Sequence, residues 1–501
     1  MHLTRTLAFA LLAACGGSDD EPTVACDSEP NFLTTADGVE YVRTPDSCFA
    51  DLPDWPYEAR YVEIGGLRQG YVDEGPQDGP VVLLLHGQPS WSYLYRKMIP
   101  GLVDDGYRVI AMDHLGMGRS DKPTEVSYYT YLRHSDRLEA FIEALDLQGI
   151  HLFVQDWGSL VGLRVAGLRP ERFAAIAVGN GDLPAVPAGQ ETLPPIDDPD
   201  VIDDSIEYVI PNLPAQQPEF YKGCELQPEV LVSALGFDLE DPASIDVGGG
   251  FATWAEYAMR SSRFHPSEIL EALTYFDVPT EEEQAYDAPY PSRVYLTGPR
   301  TFPSLAGQIG GVNDEARAGL EAFDGPFLTI WGTNDPGNLG QCATQDNLIC
   351  SVAGASGQPH VRLPQASHFL QDDQGEVIAE HLAAFFRGQG GVATHVAECG
   401  EEEEEEEEEE ESLPITPDGT GTPCTTDADC AGLAASLCLT DGTAEGFCTV
   451  EMCEPASCGD FYTCCGDCDP AAAGALPFEE SACLPEAAAG QLEAGAGCTC
   501  E

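Results

Sequence analysis

A short stretch around residue 156 limits the folds that this chain can adopt. The apolar residues 152–154 are followed by Asp156, Trp157 and Gly158, and then by apolar residues at helical spacing. This pattern predicts a buried strand, a tight turn and a helix. Such a turn lifts the residue at its tip above the carboxyl edge of a parallel sheet. An aspartate that simply caps a helix has a similar local sequence, so both interpretations stay open for this stretch alone.

The residue at the predicted tip is an aspartate, where a hydrolase with this turn usually has serine. A carboxylate is ionised at neutral pH and needs no base to activate it. It can displace a leaving group from an alkyl carbon, and water can then hydrolyse the ester that forms. Asp156 is therefore a candidate nucleophile.

Between residues 57 and 387, short apolar runs alternate with helical patterns. The runs predicted as strands are 81–85, 107–112, 152–154, 174–178 and 327–331. Strands that alternate with helices indicate a mostly parallel sheet with helices on both faces. Residues 184–299 break this rhythm and are rich in proline and acidic residues. We expect them to form a partly helical lid over the strand ends.

The N-terminus predicts export. Arg5 precedes an apolar run, 6–14, that is too short to span a bilayer but is typical of a signal peptide. Residues 12–15 resemble a bacterial lipobox, which implies cleavage before Cys15 and lipidation of its thiol. We expect an exported lipoprotein at the outer membrane or cell surface, held to the bacterial membrane by a lipid anchor at Cys15. Without lipidation of Cys15, we expect a secreted protein.

The cysteines also fit an oxidising compartment. Of the 19 cysteines, removal of Cys15 leaves an even number, which suits disulfides. Candidate pairs that are close in sequence are Cys26 with Cys48 and Cys342 with Cys350. The density of cysteines in residues 424–501 predicts a small module held by disulfides. Zinc binding is the alternative there, but histidine is scarce.

Charge excludes one class of partner and predicts a linker. The formal net charge of -64 argues against a nucleic-acid partner, because a phosphate backbone would be repelled. Residues 401–411 are all glutamate, which predicts an extended, solvated spacer.

The glycine-rich loop at 113–121 lacks the Lys-Ser/Thr pair of a phosphate-binding loop. We expect neither a metal nor a cofactor.

Two residues downstream of Asp156 complete a candidate catalytic triad. Asp335 follows the predicted strand 327–331, and His368 precedes a helical stretch that reaches residue 386. Either residue alone is more often a turn aspartate or a structural histidine. The chain order of nucleophile, acid and base is typical of hydrolases whose nucleophile lies in a turn between a strand and a helix. The backbone N–H groups of Gln88 and Trp157 are the predicted oxyanion hole.

Four segments then carry a resemblance to the haloalkane dehalogenases: residues 86–100, 120–123, 155–158 and 367–371. The similarity extends from about residue 43 to residue 387. It implies an enzyme with the α/β-hydrolase fold. Its substrates would be a small halogenated alkane and water. In that family's chemistry, Asp156 forms an alkyl ester on the halogen-bearing carbon. His368, oriented by Asp335, then activates the water that hydrolyses the ester.

Two lid segments, 250–254 and 300–303, resemble the branch of that family whose second halide-binding tryptophan lies in the lid. The resemblance implies that the indole N–H groups of Trp157 and Trp254 hydrogen-bond the departing halide. By spacing alone, Trp254 would more often be a packing residue. The residues expected to line the substrate pocket are Phe251, Phe302 and Pro303.

The chain departs from the family pattern at three places. Gln88 stands where this branch has glutamate and other branches have asparagine, so its side-chain role is open. Asn180 occupies the position where other branches place the triad acid, and Asp182 is nearby; we favour Asp335 over Asp182 as the acid. Roughly fifty extra residues lie between residues 187 and 249 and enlarge the lid.

Two other functions stay open at this point. An epoxide hydrolase uses the same aspartate nucleophile, and would need lid tyrosines such as Tyr257, Tyr275 or Tyr295 to donate to the epoxide oxygen. A surface binding protein with a degenerate hydrolase domain is the second alternative.

The predicted organisation has seven segments. They are a lipoprotein signal peptide (1–14), a tether and extension (15–56), the first part of the core (57–183), the lid with its insertion (184–299), the second part of the core (300–390), a poly-glutamate linker (391–423) and the cysteine-rich module (424–501).

Overall fold

The structure, a computed structural model, describes residues 29–187, 193–206, 250–335, 338–389 and 391–399, together with six short strands between residues 423 and 500. The chain divides into two compact units, Met1–Cys399 and Gly400–Glu501. The predicted signal peptide with Cys15, most of the lid insertion and the glutamate run lie outside the described residues.

The first unit contains eleven strands in the part of it that the structure describes. Numbered along the chain, they are β1 (Phe32–Thr34), β2 (Glu40–Val42), β3 (Arg60–Ile64), β4 (Leu67–Glu74), β5 (Val81–Leu85), β6 (Arg108–Met112), β7 (Lys122–Pro123), β8 (Ile150–Gln155), β9 (Phe173–Gly179), β10 (Phe327–Gly332) and β11 (Val361–Leu363). β1, β2 and β7 form a small antiparallel sheet.

The other eight strands form the central sheet, in the order β11-β10-β9-β8-β5-β6-β4-β3. All neighbours are parallel except β3 with β4 and β4 with β6. The predicted strand runs agree with this sheet. Because the six strands from β11 to β6 are parallel, their carboxyl ends meet at one edge, where the candidate residues follow β5, β8 and β10.

Ten α-helices accompany these strands among the described residues. They are α1 (Ile99–Asp104), α2 (Tyr131–Ala144), α3 (Trp157–Leu168), α4 (Gly250–Arg260), α5 (Pro266–Ala272), α6 (Thr280–Asp287), α7 (Thr297–Thr301), α8 (Asp314–Glu321), α9 (Cys342–Ser351) and α10 (Leu370–Phe386). Helices α4 to α7 belong to the lid region, where the sequence predicted partly helical structure.

The central sheet has a hydrophobic core on each face. Along β5, Val82 and Leu84 pack into one core with α10, whereas Leu83 and Leu85 pack into the other with α2 and α3. This alternation follows from the two-residue period of a strand. Because both faces are covered, the parallel strands are continuous apolar runs rather than alternating ones.

A buried ionic cluster joins the lid to the core. Arg96 lies 2.8 Å from the carboxylate of Asp372 on α10, and it also contacts Glu282 and the Tyr286 hydroxyl on α6. Burial raises the pKa of Asp372, but Arg96 and Lys97 outweigh that effect and hold it below its usual range. The cluster fixes α6 against the helix that follows His368.

The disulfides differ from one sequence-based pairing. Cys350 is bonded to Cys399, so the candidate pair Cys342 with Cys350 is wrong. The physical reason is the helix between them: Cys342 begins α9 and Cys350 lies eight residues later, a rise of about 12 Å, beyond the reach of a disulfide. Cys48 and Cys342 each belong to a disulfide, and Cys26 lies outside the described residues.

The second unit contains six described strands. They are β12 (Pro423–Cys424), β13 (Leu437–Thr440), β14 (Gly446–Thr449), β15 (Tyr462–Gly466), β16 (Ala482–Pro485) and β17 (Thr499–Cys500). They form two three-stranded antiparallel sheets, ordered β12-β14-β13 and β16-β15-β17. Across the described parts of both units, no helix has the length and apolar character needed to cross a membrane.

Candidate active site

Asp156 lies in a strained turn between β8 and α3. Its backbone φ of 49° and ψ of -131° fall in a region that residues with a side chain rarely adopt. Its side chain makes no capping hydrogen bond to α3, so the helix-cap interpretation does not describe this residue. The turn also needs Gly158, because a Cβ there would lie 2.1 Å from the backbone oxygen of Leu85.

The loop after β5 approaches the Asp156 carboxylate closely. A Cβ on Gly87 would lie 2.1 Å from Asp156 Oδ1, so only glycine leaves room for the carboxylate. The next residue, Gln88, donates its backbone N–H to the same oxygen at 2.7 Å. Trp157 is the first residue of α3, so its backbone N–H has no acceptor within the helix. Both predicted oxyanion donors thus flank the nucleophile position.

The side chains of Asp156, His368 and Asp335 meet at the carboxyl edge of the sheet. His368 Nδ1 lies 2.7 Å from Asp335 Oδ2, and His368 Nε2 lies 3.4 Å from Asp156 Oδ2. All three residues are buried. The two aspartates therefore occupy opposite edges of one imidazole ring, as a nucleophile, base and acid would.

Asn180 supports the acid, and the sequence did not predict this role. Its amide nitrogen donates to Asp335 Oδ2 at 2.8 Å, and its side-chain oxygen accepts from the Gly332 N–H at 2.8 Å. Its backbone oxygen accepts from the Asp156 N–H at 3.2 Å. The available signal was its alignment with the acid position of other branches. Asp182, the alternative acid, instead lies 3.3 Å from Arg317.

The electrostatics of the site favour a protonated histidine at rest. Burial lowers the pKa of His368, but the charges and hydrogen bonds of Asp335 and Asp156 outweigh burial and raise it to about 10. The imidazolium lies between two carboxylates, so the resting site carries one net negative charge rather than two. His86, buried nearby, has the opposite shift, since burial lowers its pKa.

The aromatic candidates lie in two groups. Trp157 is in contact with Phe302, with ring centroids 5.6 Å apart in an edge-to-face arrangement, and Pro303 is buried beside Phe302 in the chain. Trp254 and the half-buried Phe251 lie on lid helix α4. Trp254 packs against two lid rings, Tyr257 at 6.2 Å and Phe264 at 5.9 Å.

Three further side chains make hydrogen bonds that the sequence did not predict. The Gln88 amide donates to the Pro299 carbonyl at 3.0 Å and so links the oxyanion loop to the lid. The Gln155 amide nitrogen lies 3.0 Å from the His368 carbonyl and 3.2 Å from its Nε2. The Tyr257 hydroxyl donates to the Arg263 carbonyl at 3.2 Å.

Within the described residues there is no group of three or more metal-ligating side chains.

The fold and this site define an α/β-hydrolase, and a family model for the alpha/beta hydrolase fold matches residues 80–374. The chain is 36% identical over 357 residues to a haloalkane dehalogenase of Mycolicibacterium paratuberculosis, an alignment that covers 69% of this chain and 98% of that protein. It is 36% identical to a haloalkane dehalogenase of Mycobacterium marinum, over 69% of this chain and all of that protein.

A solved structure agrees with these relatives. A haloalkane dehalogenase from Paraglaciecola agarilytica superposes with a TM-score of 0.51 at 27% identity, and the match covers 68% of this chain and 96% of that one. The chain belongs to the haloalkane dehalogenase family.

We expect His368 to make the stability of the protein depend on pH. Its pKa rises from 6.5 to about 10 on folding, so its protonation stabilises the fold fully below pH 6.5, and this contribution is lost as pH rises through 10. Chemical denaturation at several pH values should show that the unfolding free energy of wild type, minus that of His368→Gln, falls across this range. When both proteins also carry Asp156→Asn, this difference in unfolding free energy should fall at lower pH, because one of the charges that raise the pKa of His368 is gone. A difference that stays constant would contradict the assigned charges.

Proposed function

We propose that this protein hydrolyses haloalkanes to an alcohol, a halide ion and a proton, through an alkyl ester on Asp156. The observation that carries the proposal is a carboxylate in the nucleophile turn with one oxygen on the Gln88 N–H and the other facing His368. Membership of the haloalkane dehalogenase family supports the carbon–halogen bond as the one that breaks.

The contacts of Asp156 distinguish its two oxygens in the first step. Oδ1 is held by the Gln88 N–H at 2.7 Å, whereas Oδ2 has His368 Nε2 at 3.4 Å. We assign Oδ2 as the atom that attacks the halogen-bearing carbon in line with the leaving halide. Oδ1 then becomes the ester carbonyl oxygen, which already accepts the hydrogen bond of the Gln88 N–H. The indole N–H groups of Trp157 and Trp254 are proposed to stabilise the negative charge that develops on the halide.

The second step uses the histidine as a base. Ester formation removes the negative charge of Asp156, one of the two charges that raise the pKa of His368. The ring can then lose its proton and deprotonate a water molecule that attacks the ester carbonyl. The backbone N–H groups of Gln88 and Trp157 stabilise the oxyanion of the tetrahedral intermediate, and Asp335 stabilises the imidazolium.

We expect the purified protein to release bromide from 1,2-dibromoethane and to form no diol from styrene oxide. An epoxide needs an acid that protonates its oxygen as the ring opens. Of the tyrosines that could serve, Tyr257 has its hydroxyl on the Arg263 carbonyl, whereas the buried Tyr295 hydroxyl has no hydrogen-bond partner among the described residues. The expectation therefore rests on the family relationship, and the assay tests it directly. Ion chromatography for bromide and gas chromatography for the diol make the comparison. Diol without bromide would overturn the proposed function in favour of an epoxide hydrolase.

Trp254→Phe should lower bromide release and weaken halide binding, because it removes one N–H and little volume. Loss of a hydrogen bond to a charged group predicts a decrease in turnover on the order of 10-fold to 100-fold. Tyr257→Phe is the matched control on the same helix, since it also removes one polar hydrogen and keeps the aromatic ring. Equal turnover in Trp254→Phe and wild type would place the second halide donor elsewhere.

We propose that the protein is exported and anchored to the bacterial membrane through a lipid on Cys15. The support is the signal-like sequence before Cys15 and the bond between Cys350 and Cys399, since disulfides persist in oxidising compartments. With lipidation, wild type should be in the membrane fraction and Cys15→Ser in a soluble one. An equal distribution of the two proteins between fractions would contradict the anchor.

A further inference from the structure

The chemistry described above leaves the side chain of Gln155 unused. Gln155 is the last residue of β8, directly before Asp156, and it is fully buried. Its amide nitrogen lies 3.0 Å from the backbone oxygen of His368 and 3.2 Å from Nε2 of the same residue. Its side-chain oxygen has no hydrogen-bond partner among the described residues. Both near contacts of the amide are therefore made to the catalytic histidine.

The His368 carbonyl fixes the orientation of this amide. A carbonyl oxygen only accepts hydrogen bonds, so the NH2 group of Gln155 must face it. This group has a second N–H, and Nε2 of the imidazole lies within its reach. Nε2 accepts only when it carries its lone pair, and the ring proton is then on Nδ1, 2.7 Å from Asp335 Oδ2.

Asp156 and Gln155 favour opposite protonation states of Nε2. The Asp156 carboxylate, at 3.4 Å, accepts from the protonated nitrogen, whereas Gln155 donates to the deprotonated one. While Asp156 is charged, its charge favours the imidazolium. After esterification that charge is gone, and the amide remains. A hydrogen bond to the neutral form of a group disfavours its charged form.

We propose that Gln155 is a positioning residue for ester hydrolysis: its amide holds His368 with the proton on Nδ1 and stabilises the neutral ring once Asp156 is esterified. The inference rests on the proposed function, and it gives the buried glutamine a role in the second step alone. At 3.2 Å the contact is at the long end of hydrogen bonding, so the attacking water can replace the amide as the partner of the lone pair.

The protons balance through the cycle. When the ester forms and the halide leaves, the imidazolium releases its Nε2 proton to solvent. The neutral ring then takes a proton from the attacking water, and the hydroxide adds to the ester carbonyl. As the bond from that carbon to the alkyl oxygen breaks, the ring gives its proton to the departing alkoxide. The new carboxyl group of Asp156 then protonates the ring, which restores the resting state.

Gln155→Met tests this role, because methionine has a similar volume and no N–H. Rapid-quench measurements with 1,2-dibromoethane should give a bromide burst at the wild-type rate, followed by hydrolysis slowed about tenfold. The acidic limb of the pH profile for hydrolysis should move upward by about one pH unit, because the neutral ring has lost a donor. Mass spectrometry should show the alkyl-enzyme accumulating in this variant.

Gln371→Met is the matched control. Gln371 is also a fully buried glutamine, and it lies on α10. This variant removes a buried amide without removing a contact to His368. Its pH profile for hydrolysis should equal that of wild type.

Four results would overturn the inference. Gln155→Met could equal wild type, or slow the burst and hydrolysis equally with an unchanged pH profile, or Gln371→Met could show the same shift. If Gln155→Met does not fold, Gln155→Glu takes its place. A carboxylate at this position should move the acidic limb of the pH profile for hydrolysis further upward. An acidic limb that does not move is the fourth contradicting result. Failure of the proposed function is separate, since wild type itself would then release no bromide.

Discussion

The active site depends on one imidazole held between two buried carboxylates. His368 contacts Asp335 through Nδ1 at 2.7 Å and faces Asp156 through Nε2 at 3.4 Å. Two buried carboxylates without a cation would be costly, and the protonated ring offsets that cost. Alkylation of Asp156 removes one of the two charges, so the same arrangement that protonates the histidine at rest allows it to act as a base afterwards.

The strained turn at Asp156 is what makes this arrangement possible. Asp156 has a positive φ, and both neighbouring turns need glycine: a Cβ on Gly158 would meet the Leu85 oxygen, and one on Gly87 would meet the carboxylate. Asn180 joins the turn to the acid, since its backbone accepts from Asp156 and its side chain donates to Asp335. The positions of nucleophile and acid are thus coupled through a residue that does no chemistry.

The sequence predicted the parts of the molecule that local pattern controls. Apolar runs marked the parallel strands, and the chain order of Asp156, Asp335 and His368 at strand ends indicated the triad that the structure brings together. Local pattern did not predict the contacts that hold the triad in place. Asn180 reaches Asp335 across 155 positions of sequence, and Gln155 meets His368 across 213. Sequence proximity was misleading for the disulfide, because a helix separates Cys342 from Cys350.

The proposed mechanism requires a covalent ester on Asp156, which mass spectrometry of His368→Gln incubated with 1,2-dibromoethane can detect. Without the base, the ester should form and persist, so the intact mass should rise by one bromoethyl group and peptide mapping should place it on Asp156. Asp156→Asn should show no adduct. Bromide release by His368→Gln without an adduct, or an adduct on another residue, would contradict an ester intermediate on Asp156.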